Sequence, residues 1–526
     1  MATLLFWIAV FGASEILAQT DFSLQAGATG KDVVDVAINR IDRSNIFQND
    51  KNILRRIACV ETQYGANQAN GNLGGIWQVS ETDFNRTKEA ERYPHLIDMH
   101  NDIWKMWGVR WKTLGYSELL KPFYSGLAAR LLLSLTEVGS RRPIPGIIVE
   151  QANYWKNFYN PAGSLQAFEA AATSETCETN CPGRLDICIA LDASNSVVAT
   201  DFNISRYFVH QLLTTFETGA SRAALVVYSN RLHVTFALDT NMTWAQKKQA
   251  VLDPVQTPHI QHNTHTAEAI KYCIDMFNST PAVVEGIPKI NVILTDGKSN
   301  DPGPLKVPMV APLAEAAGIT SFAVGIGSGA VYSELLTIAN NNRDRVHDLS
   351  NFAELAQFFQ QLNQETCEIP QTPRVNDTTT DSLIKGERRY FKYTLGVEGL
   401  QITVSTTAGQ TAVYYSYTET TPSAALYDGK IEGSGVIPYR LPTTTPAPPP
   451  TESARGDLFR TGNSTNPELE VYLSVTGLSD RNNYTIEARI FVPGNGASIV
   501  NNLHRNAAFV ALFVCLANLI IRPLSA

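Results

Sequence analysis

Asp192, Ser194 and Ser196 occupy alternate positions directly after an apolar run, Leu185 to Leu191. One carboxylate and two hydroxyls form a small set of hard oxygen donors, mostly neutral. Such a set suits a Mg²⁺ ion (or Mn²⁺ or Ca²⁺) that keeps water, or an open position for a carboxylate from outside. Asp-x-Ser-x-Ser alone is also an ordinary turn or helix cap, so its chemistry depends on what else the fold delivers. A short, almost fully apolar run, broken only by Asp186, suits a central strand of a parallel sheet, buried on both faces. Open α/β sheets bind ligands beyond the carboxyl ends of their strands.

The following elements supply that sheet. Phe202 to Phe216 is amphipathic; Ala223 to Tyr228 and Leu232 to Leu238 read as strands. Asn263-Thr264-His265-Thr266 opens a helical pattern through Ala267, Ile270, Ile274 and Phe277. Ile290 to Thr295 is a further apolar run ending in Asp296-Gly297, followed by Ile319 to Ile326 and a helix-like Phe352 to Leu362. Alternation of strands and helices predicts a doubly wound α/β domain. Residues 184–367 resemble a von Willebrand factor A (VWFA) domain, the fold of integrin inserted domains and matrix adhesion proteins. Its metal-ion-dependent adhesion site takes Asp-x-Ser-x-Ser, a Thr from a second loop and an Asp from a third. The resemblance assigns Asp192, Ser194, Ser196, Thr264 and Asp296 as metal ligands. It implies an extracellular protein ligand, such as a collagen-like or other matrix protein.

The chain of 526 residues is too long for one core. With a net charge of −8 it carries no basic character that points to nucleic acid. Residues 1–18 read as a secretory signal peptide, an apolar run from Leu4 followed by small residues, although no Lys or Arg precedes it. N-glycosylation sequons at Asn85, Asn203, Asn241, Asn278, Asn376, Asn463 and Asn483 agree with secretion. At the other end, Ala507 to Ile521 is apolar, with a polar spacer and the small residues Gly494 to Ser498 before it. Residues 495–526 therefore read as a GPI-anchor signal with Asn495 as the attachment residue, the competing reading being a membrane tail. Of seven cysteines, Cys515 lies in that tail. Cys59, Cys177, Cys181, Cys188, Cys273 and Cys367 remain as disulfide candidates. Cys177 or Cys181 is expected to bridge to Cys367 across the ends of the VWFA segment. Cys188 is open to reading as a buried thiol.

Residues 20–165 carry a second pattern. Lys51 to Val60 has helical apolar spacing and delivers Glu61 at its end; Gly74-Gly75-Ile76-Trp77-Gln78-Val79 and Tyr154 to Asn160 follow. This order resembles the mostly α-helical, lysozyme-like fold of lytic transglycosylases and goose-type lysozymes. There a Glu ends a helix ahead of a Gly-x-x-Gln segment, and a Tyr-Asn pair comes later. The resemblance places Glu61 at the general acid, which needs a desolvated pocket to stay protonated. It implies an aromatic cleft (Trp77, Tyr154, Trp155) for a glycan polymer such as peptidoglycan or chitin. No second carboxylate is singled out; Glu81 and Asp83 are merely near in sequence. The alternative is a domain reused for binding, and binding is the reading carried forward.

Residues 375–493 alternate with period two in five segments, which predicts an antiparallel β-sandwich. The segments are Tyr390 to Leu395, Leu400 to Ser405, Ala412 to Tyr417, Leu469 to Val475 and Tyr484 to Val492. A Pro/Thr-rich insert, 441–453, interrupts the module as an extended, exposed stretch. Arg455-Gly456-Asp457 follows it, the tripeptide that many integrins read. The whole chain thus reads as a multidomain extracellular adhesion protein with a Mg²⁺-dependent site. A surface-tethered lysozyme-like glycosidase using Glu61 is the alternative.

Overall fold

The computed structural model describes residues 19–67, 74–174, 177, 184–217, 221–281, 286–355, 358, 362, 365–396, 399–437 and 469–491. The signal-peptide segment, the Pro/Thr insert, Arg455-Gly456-Asp457, Asn463, Asn495, Cys181 and the apolar tail lie outside the described residues.

Among the described residues, seven α-helices build the N-terminal unit: α1 (Lys31–Asp42), α2 (Ile53–Thr62), α3 (Glu81–Arg86), α4 (His95–Trp107), α5 (Pro122–Glu137), α6 (Ile148–Phe158) and α7 (Leu165–Ala172). In α1, Val34, Ala37, Ile38 and Ile41 recur at helical spacing and are buried in its core. Proline at its first turn starts α5, whose side chains are almost all buried, so it runs through the middle of the unit. α2 stops where Gln63 and Tyr64 both take left-handed backbone (φ 50° and 61°), leaving Glu61 in its last turn. The unit continues past residue 165, because α7 buries Phe168 against Trp155 with ring centroids 5.3 Å apart. Cys177 then bonds to Cys59.

Residues 186–349 form the α/β domain. Its elements are β1 (Asp186–Asp192), α8 (Ala199–Thr215), β2 (Arg222–Tyr228), β3 (Leu232–Phe236), α9 (Trp244–Leu252), α10 (Thr266–Ser279), β4 (Lys289–Thr295), α11 (Val307–Ala316), β5 (Ile319–Ile326), α12 (Tyr332–Ile338) and β6 (Val346–Leu349). The sheet order is β3-β2-β1-β4-β5-β6, parallel except for β3. Every residue of β1 is buried, as a central strand requires. Ile187, Ile189 and Leu191 enter one apolar layer; Cys188 and Ala190 enter the other. Cys188 is bonded to Cys273 of α10, so it is not a free thiol. Because Cys177 is taken by Cys59, it does not close the α/β domain; Cys367 is itself disulfide-bonded.

After β1 the chain crosses to β2 on one side, while β4 lies on the other. The crevice between the carboxyl ends of β1 and β4 is thus a topological switch point, where such sheets bind ligands.

Among the described residues, 378–437 and 469–490 form two four-stranded antiparallel sheets. Their strands are β7 (Thr378–Leu383), β8 (Arg388–Leu395), β9 (Leu400–Ala408), β10 (Thr411–Ser416), β11 (Gly429–Ile431), β12 (Ser434–Ile437), β13 (Leu469–Gly477) and β14 (Asn482–Ile490). The orders are β12-β9-β14-β7 and β11-β10-β13-β8, and both sheets contribute to one apolar cluster.

The helical unit touches both neighbours. It meets the antiparallel sheets through a two-residue ladder, Thr20–Asp21 with Leu426–Tyr427, and through the ion pairs Arg388–Asp32 and Arg43–Glu419. It meets the α/β domain through Lys51–Glu354 (3.2 Å) and Arg343 Nη1 donating to the Asn45 carbonyl (2.9 Å). Between them lies a cavity of about 540 Å³ whose lining includes Asp42, Asp50, Asp344, His347, Glu365 and Glu368. Burial, together with the Asp50 and Asp344 carboxylates, pushes the Asp42 carboxyl well above its ordinary range.

Candidate metal centre

Three loops converge at the β1/β4 crevice. Asp192 ends β1 with both oxygens engaged: Oδ1 accepts from the Ser194 N–H (2.9 Å) and Oδ2 from the Thr295 hydroxyl (2.8 Å). Ser194 Oγ lies 3.0 Å from Ser196 Oγ, and the Ser196 hydroxyl donates to Asp296 Oδ1 at 2.7 Å. A continuous polar chain therefore runs from Asp192 through the two serines to Asp296. Thr264 stands at the mouth of α10 on a loop bonded to the other two. Gln261 N donates to the Ala193 carbonyl (2.8 Å), Asn195 N to the His262 carbonyl (2.9 Å) and Asn300 N to the Thr264 carbonyl (2.9 Å). Asp192, Ser194 and Thr264 are at most 5% exposed, whereas Ser196 is exposed and Asp296 half-buried. The group is closed on the sheet side and open beside Ser196 and Asp296.

Both carboxylates are short of positive charge. Burial pushes Asp192 up to about 6 against the bonds from Ser194 and Thr295, with Asp296 adding to the rise. Burial likewise raises Asp296, partly offset by Ser196. Among the described residues no Lys, Arg or His forms an ion pair with either. Two desolvated carboxylates and three hydroxyls, without sulfur or nitrogen, are a donor set that fits a hard divalent cation. Of the five residues expected from the sequence, Asp192, Ser194, Ser196 and Asp296 are joined by one polar chain, and the loop that carries Thr264 is bonded to both of the loops that bear them. Thr295, which orients Asp192, was not among them; its place beside Asp296 at the end of β4 is the signal that points to it. A close backbone approach supports the third loop, since a Cβ on Gly329 would lie 2.4 Å from the Asp296 carbonyl oxygen.

Glu61 has a different setting. Its Oε1 accepts from Trp155 Nε1 (2.9 Å), and both its oxygens accept from Asn160 Nδ2 (3.0 and 3.2 Å). Burial raises its carboxyl, against the lowering by these two donors. The segments singled out beside it do meet: the Thr62 hydroxyl donates to the Ile76 carbonyl (2.8 Å) and the Tyr159 hydroxyl to the Trp77 carbonyl (2.6 Å). The expected aromatic cleft does not form. Trp77, Tyr154 and Trp155 are 0%, 6% and 2% exposed and fill the helical core, Trp77 donating its indole N–H to the Leu54 carbonyl at 2.8 Å. Asp83 serves α3 instead, accepting from Ser80 and Arg86. Of the sequon asparagines, Asn85, Asn203, Asn241, Asn278 and Asn376 are exposed and Asn483 is half-buried.

Residues 186–361 match the von Willebrand factor type A domain family. A domain of that class, with its mostly parallel sheet, therefore forms the middle of the chain. Integrin alpha-D of Homo sapiens is 28% identical over 256 residues, covering 47% of this chain and 22% of the integrin. Matrilin-1 of Gallus gallus is 27% identical over 199 residues, 37% of this chain and 39% of the matrilin. The solved structure of proximal thread matrix protein 1 from the mussel byssus is 24% identical, covering 39% of this chain and 50% of that one, with a TM-score of 0.33. The chain thus spans well under half the length of these two curated relatives.

Proposed function

We propose that this is an extracellular adhesion protein, of the cell surface or the matrix. Its VWFA domain grips an acidic side chain of a protein ligand through Mg²⁺, or Mn²⁺ or Ca²⁺, at Asp192, Ser194, Ser196, Thr264 and Asp296. The observation that carries this reading is a buried and a half-buried carboxylate without a cationic partner, joined through two serine hydroxyls at an open switch point. A divalent ion there would supply the missing charge and an open position for the partner's carboxylate. This chain's residues hold the ion's place and exclude water on the sheet side. The likeness of the middle domain to integrin and matrilin segments supports an extracellular setting and a protein or matrix partner, collagen-like proteins included. Secretion through residues 1–18, anchoring through the C-terminal segment and integrin engagement of Arg455-Gly456-Asp457 belong to the same proposal. The test is capture of immobilised matrix proteins by the full chain in Mg²⁺. Binding abolished by EDTA and by Asp192→Ala, with the fold intact, supports the reading; binding that survives both refutes it.

One observation favours a second activity. Glu61 is half-buried with a raised carboxyl at the end of α2, the condition a glycosidase general acid needs. The helical unit would then be a lysozyme-like domain cleaving a peptidoglycan or chitin-type polymer. Release of reducing ends by the full chain, lost in Glu61→Gln, supports that; no release from either polymer refutes it.

A further inference from the structure

The second and third loops of the metal centre are held together by side chains that are not themselves in the donor set. Asn300 reaches Thr264 twice: its Oδ1 accepts from the Thr264 N–H at 2.7 Å and its own N–H donates to the Thr264 carbonyl at 2.9 Å. Next to it, the Ser299 hydroxyl donates to the Thr264 carbonyl (3.3 Å) and accepts from the Thr266 N–H (3.3 Å). Asp301, 5% exposed, accepts from the Ala267 N–H at 2.9 Å and so caps the start of α10. The tripeptide itself is tied down from outside the site. Ser299 N–H donates to Glu334 Oε1 of α12 at 2.7 Å, and the β5–α12 loop abuts Asp296 at Gly329.

This arrangement satisfies several backbone groups that would otherwise be orphaned where α10 begins. It also fixes the distance between two donors that come from different loops. Thr264 takes its place from Asn300 rather than from regular secondary structure, because it precedes the first residue of α10. Asp296 begins the same loop that carries Ser299 and Asn300, so the clasp sets Thr264 relative to Asp296 directly. Glu334 then fixes that loop to α12.

We infer that Asn300 and Glu334 are positioning residues of the metal centre: Asn300 holds Thr264 at ligand distance from Asp296, and Glu334 anchors the loop that does so. This rests on the metal-site reading above. Neither residue belongs to the donor set; each acts through a backbone N–H that it accepts from. Side chains that orient metal ligands in this way commonly carry about 10- to 100-fold in affinity.

The experiment is Mn²⁺ titration of the full chain by calorimetry, with hydrogen exchange of the peptide around Thr264 measured in the metal-free protein. Asn300→Ala and Glu334→Ala are expected to weaken Mn²⁺ binding by about tenfold and to speed exchange at Thr264. Glu334→Gln and Asn300→Asp keep an acceptor at the same reach and are expected to stay close to wild type in both readouts. Alanine variants that bind as wild type does overturn the inference. So do conservative variants that lose as much as alanine does, since the acceptor would then not be the cause. Wild-type protein that takes up no Mn²⁺ overturns the metal reading and this inference together. Wild-type Mn²⁺ binding that is unaltered in the alanine variants overturns the inference alone.

Discussion

Removal of the Cys188–Cys273 bridge tests how the α/β domain holds the loops of the candidate site. Cys188 lies four residues before Asp192 on β1; Cys273 lies on α10, whose N-terminal approach carries Thr264. The bridge closes a loop with a sequence separation of 85. In the chain-entropy account, a loop of that size stabilises the fold by about 4.6 kcal/mol at 25 °C. Native bridges removed from proteins cost about 2–5 kcal/mol in practice. Both sulfurs are fully buried, so Cys188→Ala/Cys273→Ala also loses packing. We expect a loss of about 4 kcal/mol, which lowers the melting temperature of a domain this size by about 8–16 °C. The assay is calorimetric unfolding of the full chain, following the transition that responds to divalent cation. A loss below about 1 kcal/mol would refute the reasoning, because it would mean that the packed sheet constrains the chain as well without the bridge.

Further predictions follow from the same structure. Asp42 has its carboxyl raised by burial and by Asp50 and Asp344, so its protonated form favours the fold. The resulting stability is present below the unfolded-state value near 3.9 and lost as pH rises through the folded value. Melting measured as pH rises from about 4 should lose the stability that Asp42 contributes, so that the loss is shallower in Asp42→Asn. Asp35 behaves oppositely: burial alone would raise it, but Arg55 and Lys31 hold it at about 2. Its contribution is present above about 3.9 and lost as pH falls towards 2. Asp35→Ala should cost about 3–5 kcal/mol in urea unfolding at pH 7, since it breaks an ion pair with the buried Arg55. Gly329→Ala places a Cβ against the Asp296 carbonyl and should weaken Mn²⁺ binding measured by calorimetry while the domain stays folded.

The candidate site was legible in the sequence through its resemblance to a VWFA domain, and because Asp192, Ser194, Ser196 and Asp296 follow strand ends, which are marked by apolar runs that stop at a polar residue; Thr264 instead precedes a helix. Ile319 to Ile326 was bounded as β5 is, and Ile290 to Thr295 to within one residue of β4. Elements that break their own local rules were harder to read. α11 contains Pro308 and Pro312, which hide a helix from its apolar pattern. β7 is an edge strand, Thr378-Thr-Thr-Asp-Ser-Leu383, with few apolar positions to alternate. α9 did carry a signal, the Thr243/Gln246 capping box. The aromatic cleft failed for a general reason: Trp and Tyr at helical spacing fill a core as readily as they line a groove. In this core Gly126 makes room for Trp77, as a Cβ there would lie 3.1 Å from the indole. Pairings that join distant segments, such as Thr20–Asp21 with Leu426–Tyr427 or Cys59 with Cys177, leave no periodic trace in either partner.

The central claim is that Asp192, Ser194, Ser196, Thr264 and Asp296 hold a divalent cation. Its most direct test is titration of the full chain with Mg²⁺, Mn²⁺ and Ca²⁺, following heat and melting temperature, with Asp192→Ala alongside. The account predicts one saturable site that stabilises the VWFA transition by about 2.7 kcal/mol at a hundredfold excess over Kd, reversed by EDTA and absent in the variant. A folded wild-type chain that shows neither heat of binding nor a shift with any of the three ions would contradict it.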